Sequence, residues 1–166
     1  MNIGSKAMIA FLVWFISTQF AQAARRLSNA ELLPIINAVN GEFGHWFDPL
    51  DVLAIIQIES GGDPDAVRYE SHLNDSSIGL MQVLYSTAQD RGFSGGPAGL
   101  FDPVLNIRMG MRQLKWSHDY LANRQAEAPS LDQWIGSYNA GVGNALKGKW
   151  VSGYVDKFRA ARAALG

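Results

Sequence analysis

Residues 48–62 read DPLDVLAIIQIESGG, and no other stretch limits the possible folds so strongly. Asp48-Pro49 is a helix-start signal: a capping carboxylate, then proline at the first helical position. Leu50, Val52, Leu53, Ile55, Ile56 and Ile58 make the helix that follows apolar nearly all round. Such a helix has no face to offer water, so other elements must wrap it. Gly61, Gly62 and Pro64 stop it. The carboxyl group of Glu59 therefore falls in the last turn of a buried helix.

The wrapping elements read as mostly helical. Ala30 to Phe43 carries Leu32, Leu33, Ile36 and Val39 on one stripe. Asp102-Pro103 repeats the start signal and opens a long helix, with Ile107, Met111, Leu114, His118 and Leu121 along one face. Ser130-Leu131-Asp132-Gln133 matches a capping box; its helix bears Trp134, Ile135 and Tyr138 and ends at Gly141. Ser86-Thr87-Ala88-Gln89 predicts another box, opening a short helix that Gly92 closes. A last amphipathic helix covers about Tyr154 to Leu165. Asp63 to Ser77 is polar and turn-rich, and Ile78 to Leu84 reads as a short strand or extended segment. The expected fold class is α+β, predominantly α-helical, or nearly all-α, with a small β or irregular insert after the buried helix.

The first residues have the layout of a secretory signal peptide over residues 1–23. Lys6 precedes an apolar run from Ala7 to Ile16, and Ala21-Gln22-Ala23 is a small-x-small pattern. The run is short of the roughly 20 residues a spanning helix needs, and Ser17, Thr18 and Gln19 break it. The expectation is a single domain over residues 24–166, periplasmic or secreted, with no stable membrane span after cleavage. A domain of about 140 residues buries a sizeable core unaided. The chain has no cysteine, which excludes disulfides and thiolate metal sites. Its net charge is −1, and loss of Lys6 takes it to −2. That balance carries no electrostatic footprint for nucleic acid. His45, His72 and His118 share no metal-ligand spacing, so no metal and no cofactor is expected. The glycine-rich stretch Ser94 to Gly99 lacks the Lys-Ser/Thr and the βαβ setting of a phosphate loop.

Glu59 is the residue with chemical promise. Desolvation disfavours the carboxylate and raises the pKa. A carboxyl that keeps its proton near neutral pH can donate it to a leaving oxygen. The bland alternative is a helix-end glutamate pointing into solvent, although a negative charge there opposes the helix dipole.

The neighbours of Glu59 favour the chemical reading. Glu59-Ser60-Gly61 is followed by Gly79-Leu80-Met81-Gln82 and then Tyr138-Asn139-Ala140-Gly141. In this order the three blocks resemble the signature of the soluble lytic transglycosylases related to goose-type lysozyme. Leu100-Phe101-Asp102-Pro103, Asn106-Ile107 and Gly110 are similar to the stretch that opens that family's long helix. The likeness covers about Leu50 to Trp150.

That resemblance implies a lysozyme-like domain acting on peptidoglycan glycan strands. It implies cleavage of the β-1,4 bond between N-acetylmuramic acid and N-acetylglucosamine, with a 1,6-anhydro end as product. Glu59 would act first as acid and then as base. Ser60, Gly79, Leu80, Met81, Gln82, Tyr138 and Asn139 would line or hold the sugar site. Gly79 would admit close backbone approach, Met81 a soft apolar contact and Gln82 an amide. Core packing is the alternative for Leu80, Met81 and Tyr138, and turn hydrogen bonding for Gln82 and Asn139.

The stretch from Ser60 to Gly79 is longer than in the commonest family members. Ser71, Ser76 and Ser77 are candidates for the serine that often orients the glutamate or the acetamido group there. Glu70 and Asp75, with Asp63 and Asp65, are candidates for a second carboxylate that polarises water; the reaction would then be hydrolysis. His72 and Trp150 are expected at the cleft, and His118 and Trp134 in the core. Two rival functions stand beside transglycosylation: a water-using muramidase, and a non-catalytic wall-binding scaffold. Compact members of the family also suggest, by analogy, service to secretion, conjugation or pilus machinery.

Overall fold

The computed structural model describes residues 26–166. The signal-peptide reading of residues 1–23 lies outside them. Helix α1 (Asn29–Gly41) starts at a reciprocal capping box between Ser28 and Glu31. Helix α2 (Pro49–Glu59) starts where Asp48 accepts the Leu50 N–H at 2.8 Å. Its residues Val52 to Ile56 are all buried. A three-stranded antiparallel sheet follows: β1 (Val67–Glu70), β2 (Asp75–Ile78) and β3 (Val83–Leu84), in that order. Then come the short α3 (Tyr85–Asp90), a 3₁₀ turn (Pro97–Phe101) and the long α4 (Pro103–Ala122). Helices α5 (Leu131–Ala140), α6 (Val142–Ala145) and α7 (Ser152–Ala164) complete the chain.

The fold is α+β and mostly helical, and α2 is its axis. Helices α1 and α7 pack directly on α2. Arg162 of α7 fastens the α2 start by donating to Asp48 at 2.9 Å and to Asp51 at 3.0 Å. His118 packs edge-on against Trp46 and Trp134, and the Trp134 indole donates to the Leu114 carbonyl at 2.9 Å. Both residues are half-buried against the core rather than sealed inside it.

Local signals fail where a distant group does the same task. Ser86 does not cap α3; Leu84 holds that position without a side-chain bond. Instead the Asp75 carboxylate reaches over from β2 and accepts both the Ser86 N–H at 3.0 Å and its hydroxyl at 2.6 Å. At α5, Ser130 does accept the Gln133 N–H. The Gln133 amide is used elsewhere, donating to Gln125 and to the Ala145 carbonyl. The polar stretch 63–77 also holds all of β1, whose side chains are mostly exposed and so lack an apolar alternation.

The turn between β2 and β3 carries the site and is anchored from α4. Asn106 is fully buried. Its Oδ1 accepts the Met81 N–H, and its Nδ2 donates to the Ile78 and Leu100 carbonyls, all at 2.8 Å. Gly79 has φ +74°, and a Cβ there would collide with the Asn106 amide. Gly110 lies directly against the Met81 side chain, leaving no room for a Cβ.

Candidate active site

A groove of about 290 Å³ opens between the end of α2, the sheet, α3, the middle of α4 and the end of α5. Glu59 forms its inner wall. Burial raises the Glu59 pKa. The Tyr154 hydrogen bond and the charge of Arg68 pull it back, and the charge of Glu70 pushes it up; the net result lies above the ordinary 4.5. Tyr154 donates its hydroxyl to Glu59 Oε1 at 2.6 Å. It is brought there because Val155 and Phe158, next to it on α7, are buried in the core. Tyr138, half-buried on α5, donates to the Met81 carbonyl at 2.8 Å and lines the same groove. Burial and the nearby Glu59 raise the pKa of both tyrosines, so they remain hydroxyl donors.

The opposite wall is the β1–β2 hairpin. Arg68, Glu70, His72 and Ser77 line it. Arg68 Nε donates to Glu70 Oε1 at 2.5 Å, and the Ser77 hydroxyl donates to the same oxygen at 3.3 Å. The Arg68 bond is the main reason Glu70 ionises below the ordinary carboxylate range. The groove thus has a carboxyl raised by dryness on one side and one lowered by a guanidinium on the other. Environments that push two carboxyls apart in this way suit one as an acid and one as a standing charge.

Several expected site residues lie elsewhere. Leu80 and Met81 are fully buried, so neither side chain can touch a ligand in the groove. Gly79 is buried beneath them, and its missing Cβ makes room for Asn106 rather than for sugar. Ser60 donates to the Leu80 carbonyl at 2.8 Å, tying the end of α2 to the turn. Asp75 is committed to Ser86 and does not line the groove. Although burial pushes its carboxyl up, bonds from Ser86 and Ser76 bring it below the ordinary value. Trp150 packs closely against Gly136 of α5 and does not line the groove.

Gln82, Tyr138, Asn139 and His72 do line it. Gln82 adopts φ +45° and donates to the Ala66 and Gly79 carbonyls, each at 3.0 Å. Of the three candidate serines, Ser77 lines the groove; Ser71 lies exposed in the hairpin turn. Sequence reasoning missed Tyr154, Gln113 and Thr87. Tyr154 is 95 residues from its partner, and the amphipathic pattern of α7 was its only trace. Among the described residues no group of three or more His, Cys, Asp or Glu is placed to hold a metal ion.

Residues 45–157 match the transglycosylase SLT domain, which is most of the chain. The chain belongs to the transglycosylase SLT family. The SLT-family match takes in Glu59, the clamped turn and Tyr154, and leaves α1 outside. The chain is 31% identical over 144 residues to membrane-bound lytic murein transglycosylase C of Photorhabdus laumondii, a match covering 82% of this chain and 38% of the relative. To the protein of the same name from Actinobacillus pleuropneumoniae it is 33% identical over 125 residues, covering 70% and 32%. The chain therefore spans about a third of the length of these relatives. The crystal structure of the 70 kDa soluble lytic transglycosylase of Escherichia coli is similar at TM-score 0.52 and 20% identity, over 76% of this chain and 22% of that one. That likeness supports the SLT-type α+β fold.

Proposed function

We propose that this chain is a peptidoglycan lytic transglycosylase. It cleaves the β-1,4 bond between N-acetylmuramic acid and N-acetylglucosamine and leaves a 1,6-anhydromuramic end. The observation that carries this is Glu59: a carboxyl raised by burial, facing a groove, with one oxygen held by Tyr154. Family membership and the names of the relatives support it.

With Oε1 accepting from Tyr154, Oε2 is left to carry the proton. Glu59 gives that proton to the glycosidic oxygen as the bond to the anomeric carbon breaks. The muramic 2-acetamido oxygen stabilises the positive anomeric carbon. The Glu59 carboxylate then takes the proton of the muramic C6 hydroxyl, whose oxygen closes on the anomeric carbon. No water is consumed, and Glu59 ends protonated as it began. Positioned proton transfer of this kind contributes roughly 10²- to 10⁴-fold.

Glu70 favours a second reading. An ionised carboxylate across the groove from a protonated one is the arrangement of a two-carboxylate glycosidase, which uses water. Digestion of purified peptidoglycan, read by mass spectrometry, separates the two. Transglycosylation gives anhydro ends, one water lighter than hydrolytic ends, and Glu59→Gln abolishes them in a folded protein. Reducing muramic ends that vanish in Glu70→Gln overturn it in favour of hydrolysis. Binding of glycan with no product overturns both and leaves a scaffold.

The same proposal places the enzyme in the cell envelope, exported by the segment at residues 1–23, where it opens the wall locally for a secretion, conjugation or pilus assembly. The relatives' membrane-bound naming supports the envelope location. Among the described residues no helix is long and apolar enough to cross a membrane.

A further inference from the structure

Gln113 is the α4 residue that lines the groove, and it arrives there half-buried with one end of its amide already committed. Arg91 Nε donates to its side-chain oxygen at 2.8 Å. A guanidinium has N–H donors and no acceptor, so the oxygen is the end of the amide that faces Arg91. Arg91 is itself held in place. Its guanidinium lies 3.8 Å over the ring of Trp116, on the same helix as Gln113, and its Nη1 donates to the Asp90 carbonyl at 3.3 Å. The Arg91 carbonyl accepts from Arg112 Nη1 at 3.1 Å, which ties the end of α3 to α4 beside Gln113. Among the described residues no acceptor takes the N–H groups at the other end of the Gln113 amide. The Gln82 amide is used the opposite way round: its nitrogen serves the Ala66 and Gly79 carbonyls.

We propose that Gln113 binds substrate through its amide N–H, donating to an acceptor oxygen of the bound sugar, and that Arg91 is the positioning residue that fixes which end of the amide faces the groove. The inference rests on the peptidoglycan reading of the same groove. A free glutamine amide can turn over and present oxygen or nitrogen as a ligand requires. Arg91 removes that choice and leaves a fixed donor. Hydroxyl and acetamido oxygens accept from such a donor, whereas a group that can only donate meets no partner there. The hairpin wall has its own donor in Arg68, but that guanidinium is engaged by Glu70. Gln113 adds a neutral donor on the α4 side.

The test has two arms. In Glu59→Gln protein, the Gln113 side-chain NH₂ resonances, assigned by their loss on adding Gln113→Glu, are followed while a tetrasaccharide of alternating N-acetylmuramic acid and N-acetylglucosamine is added. They are expected to shift and saturate. The second arm is steady-state kinetics on soluble uncrosslinked strands, each variant at its own pH optimum. Gln113→Glu keeps an oxygen for Arg91 but has no N–H for the sugar, so KM should rise about tenfold, the scale of one hydrogen bond, with no loss of stability in urea. Arg91→Met lets the amide spend about half its time reversed, which raises KM about twofold. In Gln113→Met, which has no amide to orient, adding Arg91→Met should change KM no further. Unmoved resonances, an unchanged KM in Gln113→Glu, or an Arg91→Met effect that persists in Gln113→Met overturns the proposal. A merely structural role would lower the unfolding midpoints and leave KM at the wild-type value. Failure of the wild type to cleave any glycan overturns the catalytic reading instead, and the amide titration then decides this inference alone.

Discussion

Glu59 and Glu70 face one groove, yet they come from very different parts of the molecule. Glu59 ends a helix whose Val52 to Ile56 are all buried; Glu70 ends a four-residue strand with mostly exposed side chains. The helix wall is dry and its polar atoms are assigned one by one, through Tyr154, Ser60 and Asn106. The hairpin wall is wetter, and Arg68 dominates it. The lesson is that carboxyl chemistry is set by the supporting element. The same functional group is driven up by an apolar helix and down by a guanidinium on an open strand.

The strongest way to break this contrast is to remove the clamp beneath it. Asn106→Ala leaves the Met81 N–H and the Ile78 and Leu100 carbonyls unpaired in the core. A loss of about 4 kcal/mol is expected in urea unfolding, given roughly 1–3 kcal/mol for each buried group left unsatisfied. Cleavage should fall with it even under conditions where the variant stays folded.

Tyr154→Phe and Glu70→Gln sharpen the contrast by moving one pKa in opposite directions. The Tyr154 hydroxyl favours the Glu59 carboxylate, so its loss raises the Glu59 pKa and moves the alkaline limb of the pH–rate profile upward. Phe also costs about 1 kcal/mol of stability for the lost hydrogen bond. The charge of Glu70 disfavours the Glu59 carboxylate and its pairing occupies Arg68, so Glu70→Gln moves that limb downward. Shifts of the same sign in both variants would contradict the opposed-wall account.

How much of this was legible in the sequence depends on distance along the chain. Helix starts at Asp48-Pro49 and Asp102-Pro103 are local, and both caps form as the residues suggest. The carboxyl at the end of the buried helix was legible for the same reason. The Ser86 cap was misread because its acceptor, Asp75, is 11 residues upstream on strand β2. Leu80 and Met81 belong to a block that resembles a sugar-lining segment, but their side chains are buried, Met81 against Gly110 of α4, while Gln82 lines the groove. Tyr154 needs the closure of α7 onto α2, a contact that no local pattern specifies.

Stability should report the dry wall as well. The Glu59 pKa is raised on folding, so its contribution is fully present below the ordinary 4.5 and is lost as pH climbs through the folded value. Glu59→Gln should therefore match wild type in melting temperature at low pH and exceed it near neutrality. The smallest effect is expected at Asp75→Ala, which removes the acceptor at the start of α3 and costs about 1 kcal/mol by thermal unfolding. Because Asp75 stands outside the groove, the pH–rate profile should keep its shape.

The clamp at Asn106 also bears on how such a domain can diversify. The floor of the groove is tethered to a helix that follows it in the chain, so its position does not depend on the length of the loop that precedes it. Residues 63–77 can gain or lose segments while Glu59 and the floor keep their spacing. Variation in the outer wall of the groove can then accumulate in the hairpin without moving the Glu59 carboxyl.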